Sequence, residues 1–194
     1  MKMKINFFLA PFLCLALLAS SGAGAATLEG QSFENGTRLA SQELRLNGLG
    51  LRGVLFIKAY VAGLYLGDKA TTLQEVSALP GAKRLQMRML RGAGPDDFNK
   101  ALVAGIRKNA SDAELARLND RIEQLERTIR TIGMTAKGDV INLDYVPGLG
   151  TTLAVNGASK GAPIAGADFY DAVLGIFIGE HPVDARLKKG LLGQ

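Results

Sequence analysis

The 194-residue chain has no tryptophan, one histidine and one cysteine. Most metal centres need several histidine or cysteine ligands, and single-stranded nucleic acid is held on aromatic platforms, so both chemistries lack their raw material here. There is no internal repeat and no low-complexity segment. The lone cysteine, Cys14, lies in an almost continuously apolar run, Ile5 to Leu18, which follows Lys2 and Lys4 and precedes the small residues Ala23-Gly24-Ala25. That order of charge, apolar stretch and small residues is expected to be a secretory signal peptide, removed after about Ala25, and the run is too short and too early for a stable membrane span. Cys14 is not beside the cleavage point, so no lipid attachment is expected. The mature chain, Ala26 to Gln194, then enters an oxidising compartment with no thiol and no disulfide. A bacterial periplasmic or secreted location is the expectation.

Charge of one sign is also scarce. Of 23 Lys and Arg, Lys2 and Lys4 leave with the leader; the remaining 21 stand against 18 Asp and Glu, a mature net charge of about +3. That is too small and too dispersed for a nucleic-acid partner. The length fits one domain, residues 26–194, with room for a core without staples.

What is present is a readable change of period. Leu44 to Asn47 alternates, Val54 to Leu66 is a long β-branched and aromatic run, and Leu85, Met87 and Met89 alternate with Arg84, Gln86 and Arg88. From Pro95 the period is helical, with Phe98, Ala101, Leu102, Gly105 and Ile106 on one face. Ser111-Asp112-Ala113-Glu114 predicts a capping box, and the stripe from Leu115 to Ile132 predicts a second helix lying on a sheet. Strands return at Ile141–Tyr145 and Thr152–Val155, Asn156-Gly157 is a hairpin signal, and a helix carrying Phe169, Val173, Ile176 and Phe177 stops at Gly179. A short turn from Asp184 to Lys189 closes on Gly190. Strands, helices, strands, helices is an α+β order, with antiparallel strands.

Three blocks carry a family resemblance: Leu49-Gly50-Leu51-Arg52-Gly53, the run Ile57 to Leu66, and Gly161-Ala162-Pro163-Ile164 followed by Phe169 to Gly179. Together they resemble the chalcone isomerase-like proteins, in their secreted bacterial branch, from about Gln42 to the C-terminus. The resemblance implies an open-faced β-sandwich, a large antiparallel sheet with helices packed on one face and a ligand cleft between. It also implies one of two activities: ring closure of chalcones, as in the plant enzymes, or fatty-acid binding without catalysis.

Ring closure needs a cation at the developing oxyanion and a hydroxyl donor at the ketone. By the resemblance Arg52 matches the cation, but Phe98 stands where the plant enzymes have a tyrosine, and a phenyl ring cannot donate. Tyr60 replaces a plant threonine and offers a phenol instead, and a C-terminal hydroxyl is lost around Ala165 and Gly166. These departures favour binding over catalysis, with an intramolecular lyase as the alternative. The candidate ligand-binding residues are Arg52, Lys58, Tyr60, Phe98 and Leu102; Arg52 and Tyr60 are the only catalytic candidates, and no cofactor or metal is expected. The expected partner is a small amphipathic carboxylate or phenol.

Strand parity places Arg52 in phase with Val54, Phe56, Lys58, Tyr60 and Ala62, the mixed side that should border the cleft. Yet straight strand would part Arg52 from Tyr60 by about 26 Å. For the two to share a site, Gly48, Gly50 and Gly53 would have to bend the chain back. The competing reading has Arg52 pairing with a nearby acid or with helix C-terminal carbonyls and fixing only the strand entry.

Three other features have bland readings. Gly157 to Gly161 fits G-x-S-x-G, with Asp168 or Asp171 and His181 in hydrolase order, but Pro163 follows too soon for a strand-to-helix elbow. Gly92-Ala93-Gly94 precedes Asp96 and Asp97, which would repel phosphate, so it is a turn. His181 precedes a proline in a loop and has no second histidine beside it.

Overall fold

A computed structural model describes residues 24–54 and 56–194. The leader read from residues 1–25 lies outside the described residues except for Gly24 and Ala25. Two short strands, β1 (Ala25–Leu28) and β2 (Gln31–Glu34), form a separate antiparallel ribbon. The main sheet is an antiparallel meander in strict chain order: β3 (Gly36–Leu39), β4 (Gln42–Val54), β5 (Ile57–Leu66), β6 (Lys83–Met89), β7 (Val140–Val146), β8 (Gly150–Val155) and β9 (Ala158–Ile164). Helix α1 (Leu73–Ala78) joins β5 to β6, α2 (Pro95–Asn109) and α3 (Asp112–Arg130) join β6 to β7, and α4 (Ala167–Ile178) and α5 (Ala185–Leu191) end the chain. No described helix is long and apolar enough to cross a membrane.

The core follows from alternation. On β6, Lys83, Leu85, Met87 and Met89 are buried while Arg84, Gln86 and Arg88 face the other way. The inward set joins Ala62, Leu64, Leu66, Ile141, Leu143 and Leu153 beneath the helices, which contribute Leu102, Ile106, Leu125, Ile129, Val173 and Phe177. The opposite face carries a smaller cluster, in which Phe33 of β2 seals Val61 and Tyr65. The Ser111–Glu114 capping box is formed in both directions. Asn156 and Gly157 take left-handed φ of 51° and 80° in the β8–β9 turn, as a two-residue hairpin needs. Ser159 therefore lies in a strand and not at a nucleophile elbow.

The structure corrects three readings of the backbone. Val54 to Leu66 is not one strand, because the chain reverses between Val54 and Ile57 and β4 pairs back on β5. No Gly, Pro, Asn or Asp marks that turn, so nothing local announces it. Nor does that reversal fall at Gly48, Gly50 or Gly53. A Cβ at Gly48 would stand 2.9 Å from Leu191 O and Gly193 N, and one at Gly50 would stand 2.9 Å from Leu187 Cα, so both glycines exist to let α5 lie flat on β4. Gly190, read as a stop, sits inside α5 and meets the Leu49 carbonyl by the same device.

Candidate ligand-binding site

The reversal puts the two polar candidates together. Arg52 of β4 and Tyr60 of β5 are direct cross-strand partners, with the register Gly50↔Ala62 and Gly48↔Leu64 continuing the same face. Cross-strand partners have Cβ atoms about 5 Å apart, so the 26 Å separation of a straight strand disappears. The parity argument holds for Tyr60 and Ala62, which face the helices.

It fails for Lys58, and a bulge is the reason. Arg52 pairs with Tyr60 but the next residue, Gly53, pairs with Lys58, so Ala59 is inserted without a partner. One extra residue reverses the phase, and Lys58 turns to the face covered by the β1–β2 ribbon. There its Nζ lies 2.6 Å from Glu29 Oε2, in an exposed pair away from the helices. Phe56 stands fully exposed beyond the bulge.

Between the sheet and the helices lies a cavity of about 120 Å³. Its floor is Arg52, Tyr60, Met87, Ile141, Leu143 and Leu153; its roof is Phe98, Ala101 and Leu102 of α2, Ile129 of α3 and Ile132 just past its end, Ile176 and Phe177 of α4, and Val183. Four of the five candidates, Arg52, Tyr60, Phe98 and Leu102, thus line one space, and Lys58 does not. The apolar positions of α3, α4, β7 and β8 belong to the wall but carry only the signature of a core in the sequence. Nothing in the period separates a residue facing a cavity from one facing a neighbour.

Asp184 was missed altogether. It is the N-cap of α5, where its Oδ1 accepts from Arg186 N at 2.8 Å and Leu187 N at 3.2 Å. Its Oδ2 accepts from Gly53 N at 3.2 Å and lies 3.5 Å from Arg52 Nη1. The glycine contacts explain the pairing: Gly48 meets the end of α5, Gly50 meets Leu187, and Arg52, two residues further along the same strand face, meets the cap. Arg52 Nη1 also donates to its neighbour Gly53 O at 2.8 Å. Arg52 is therefore paired with an acid, as the competing reading expected, and also lines the cavity, with its side chain 22 % exposed.

The charges are well defined. Burial works against ionisation of Asp184, but the N–H groups of Leu187, Gly53 and Arg186 and the Arg52 charge outweigh it and hold the carboxyl below its usual range. Burial pushes the Tyr60 phenol well above the ordinary tyrosine value; the Arg52 charge opposes the rise and the Asp184 charge adds to it. Tyr60 is thus a neutral donor. Chemically the cavity presents apolar walls, the Arg52 guanidinium and the Tyr60 phenol, with Asp184 balancing the Arg52 charge from outside the lining.

A family model described as chalcone isomerase-like matches residues 25–193. The chain belongs to the chalcone isomerase-like family. Among solved structures, the crystal structure of a fatty-acid binding protein from Arabidopsis thaliana superposes with a TM-score of 0.64 at 18 % identity, covering 87 % of this chain and 96 % of that one. At that identity the match establishes the shared fold: a large antiparallel sheet with helices on one face, as the resemblance implied. No curated protein matches the chain by sequence. For a chalcone isomerase-like chain, the helix-side cavity just described lies between the two layers the fold defines.

Proposed function

We propose that this protein is an exported, non-catalytic binding protein for a small amphipathic molecule, a carboxylate or a phenol, with an apolar body of the kind a fatty acid carries. The observation that carries the reading is the convergence of Arg52 and Tyr60 on one edge of an otherwise hydrocarbon-lined cavity. Two fixed donors orient an oxygen head group and the walls of Leu, Ile, Met and Phe take the apolar body. The shared fold with a fatty-acid binding protein supports the same class. The leader-like N-terminus supports export.

Size limits the ligand. A dry cavity on the order of 150 Å³ holds a benzene ring, whereas drug-sized ligands occupy about 300–1,000 Å³. The cavity of about 120 Å³ takes a ring or a short branch, and a long tail must part the α2–α3 layer from the sheet. The alternative, an intramolecular lyase, draws on the paired donors Arg52 and Tyr60, but Phe98 supplies no third donor from the roof.

Organic extraction of protein expressed through its own leader, followed by mass spectrometry, is expected to yield a bound amphiphile at a fixed ratio, and Arg52→Ala is expected to lose it. A clean extract from the unmodified protein, or equal loading of the variant, overturns the proposal. Turnover of a 2′-hydroxychalcone above background by the unmodified protein would replace it with the lyase reading.

A further inference from the structure

The binding reading leaves the head group open between an anion and a neutral oxygen, and Asp184 separates them. Arg52 is not a free cation awaiting a carboxylate: Asp184, its side chain only 8 % exposed, lies 3.5 Å away. Nor is Asp184 free to swing out. Both its oxygens are engaged by backbone N–H groups of α5 and of Gly53, and α5 is seated against glycines that admit no side chain. The polar edge of the cavity therefore holds one positive charge and one neutral phenol, and the negative charge of Asp184 stands 3.5 Å from the guanidinium, outside the lining.

We propose that this site selects an uncharged oxygen head group, a phenol or a carbonyl, over a carboxylate, and that Asp184 is the residue that sets the preference. A carboxylate would bring a second negative charge to a single guanidinium in a partly desolvated site, where repulsion from Asp184 is weakly screened. A neutral oxygen accepts from the guanidinium N–H groups not used by Asp184 and Gly53, and from the Tyr60 hydroxyl, and leaves the charge balanced. The depressed Asp184 carboxyl and the un-ionised Tyr60 keep that balance at neutral pH. The cavity volume suits a single ring behind such a head group.

This inference rests on the binding reading above, and the test separates the two. 4-Methylphenol and 4-methylbenzoate share one ring and differ at the head; their affinities are compared by calorimetry at neutral pH on the unmodified protein and on Asp184→Asn. Asparagine is an equally good N-cap, so α5 is expected to stay docked, and a thermal melt checks it. The unmodified protein is expected to bind the phenol at least about tenfold more tightly. The variant is expected to shift the ratio at least about tenfold toward the benzoate, or about 1.4 kcal/mol. Equal or tighter binding of the benzoate by the unmodified protein overturns the proposal and leaves the binding reading standing. An unchanged ratio in a folded variant also overturns it, because the preference would then owe nothing to Asp184. Failure of both compounds to bind overturns this proposal, and the extract of the unmodified protein then decides the binding reading by itself.

Discussion

Replacing Gly50 by alanine tests the seating of α5, on which the whole polar edge depends. A Cβ there would stand 2.9 Å from both Leu187 Cα and Leu187 Cδ1, and closer still to the Leu187 carbonyl oxygen, whereas ordinary contacts begin at 3.4 Å. The Cα and Cδ1 contacts alone ask for a retreat of about 0.5 Å, and the carbonyl oxygen asks for more. The obstructing atoms are mostly backbone, so no rotamer change relieves the clash. Overpacking of this kind costs typically about 1–3 kcal/mol, and a rigid backbone obstacle places Gly50→Ala near the upper end. In a domain of this size, each kcal/mol moves the melting temperature by about 2–4 °C, so a fall of roughly 6–12 °C is expected. Gly67→Ala is the control: no atom lies within 4 Å of its Cβ and its φ is not left-handed, so its melt should hold or rise slightly. The assay is far-ultraviolet circular dichroism on heating, paired with ligand affinity, because a displaced α5 carries Asp184 away from Arg52. A Gly50→Ala melt indistinguishable from that of Gly67→Ala would refute the seating argument and return the glycines to the role of a simple bend.

Three further outcomes are expected. Lys58→Ala should leave ligand affinity unchanged and stability within about 0.5 kcal/mol, since its pair with Glu29 is exposed and lies on the other face; a lost affinity in a binding titration would show that the bulge assignment is wrong. Tyr60→Phe keeps the ring and removes one neutral donor, so affinity should weaken by about three- to tenfold with the melt preserved, and an unchanged affinity would take the phenol out of the site. Asp184 is held below its unfolded value, so it adds stability above the unfolded carboxylate pKa of about 3.9 and loses it as pH falls through the folded value. Urea titrations down the acid limb should accordingly fall less steeply for Asp184→Asn than for the unmodified protein, and identical slopes would contradict the shift.

The sequence by itself determined whatever depends on neighbours along the chain. The alternation of β6, the helical stripes of α2 and α3, the Ser111–Glu114 box and the Asn156-Gly157 turn are local codes, and each appears in place. Family blocks singled out Arg52 and Tyr60, which the structure places on the floor of the cavity, and parity put Tyr60 on the face toward the helices. The sequence carried little signal for β9, an exposed edge strand containing Pro163, or for the short ribbon strands whose partners hold them in place. Only tertiary structure decided how the pieces meet. The reversal at Val54–Ile57 has no turn residues and forms because thirteen residues of β4 find ten of β5, a pairing that costs loop entropy locally and is recovered across the ladder. The bulge at Ala59, which removes Lys58 from the site, is a property of two strands in register and not of either alone. Asp184 lies 132 positions from Arg52 and reads as an ordinary helix cap; its charge matters because glycines on a distant strand let its helix come close enough to place it there.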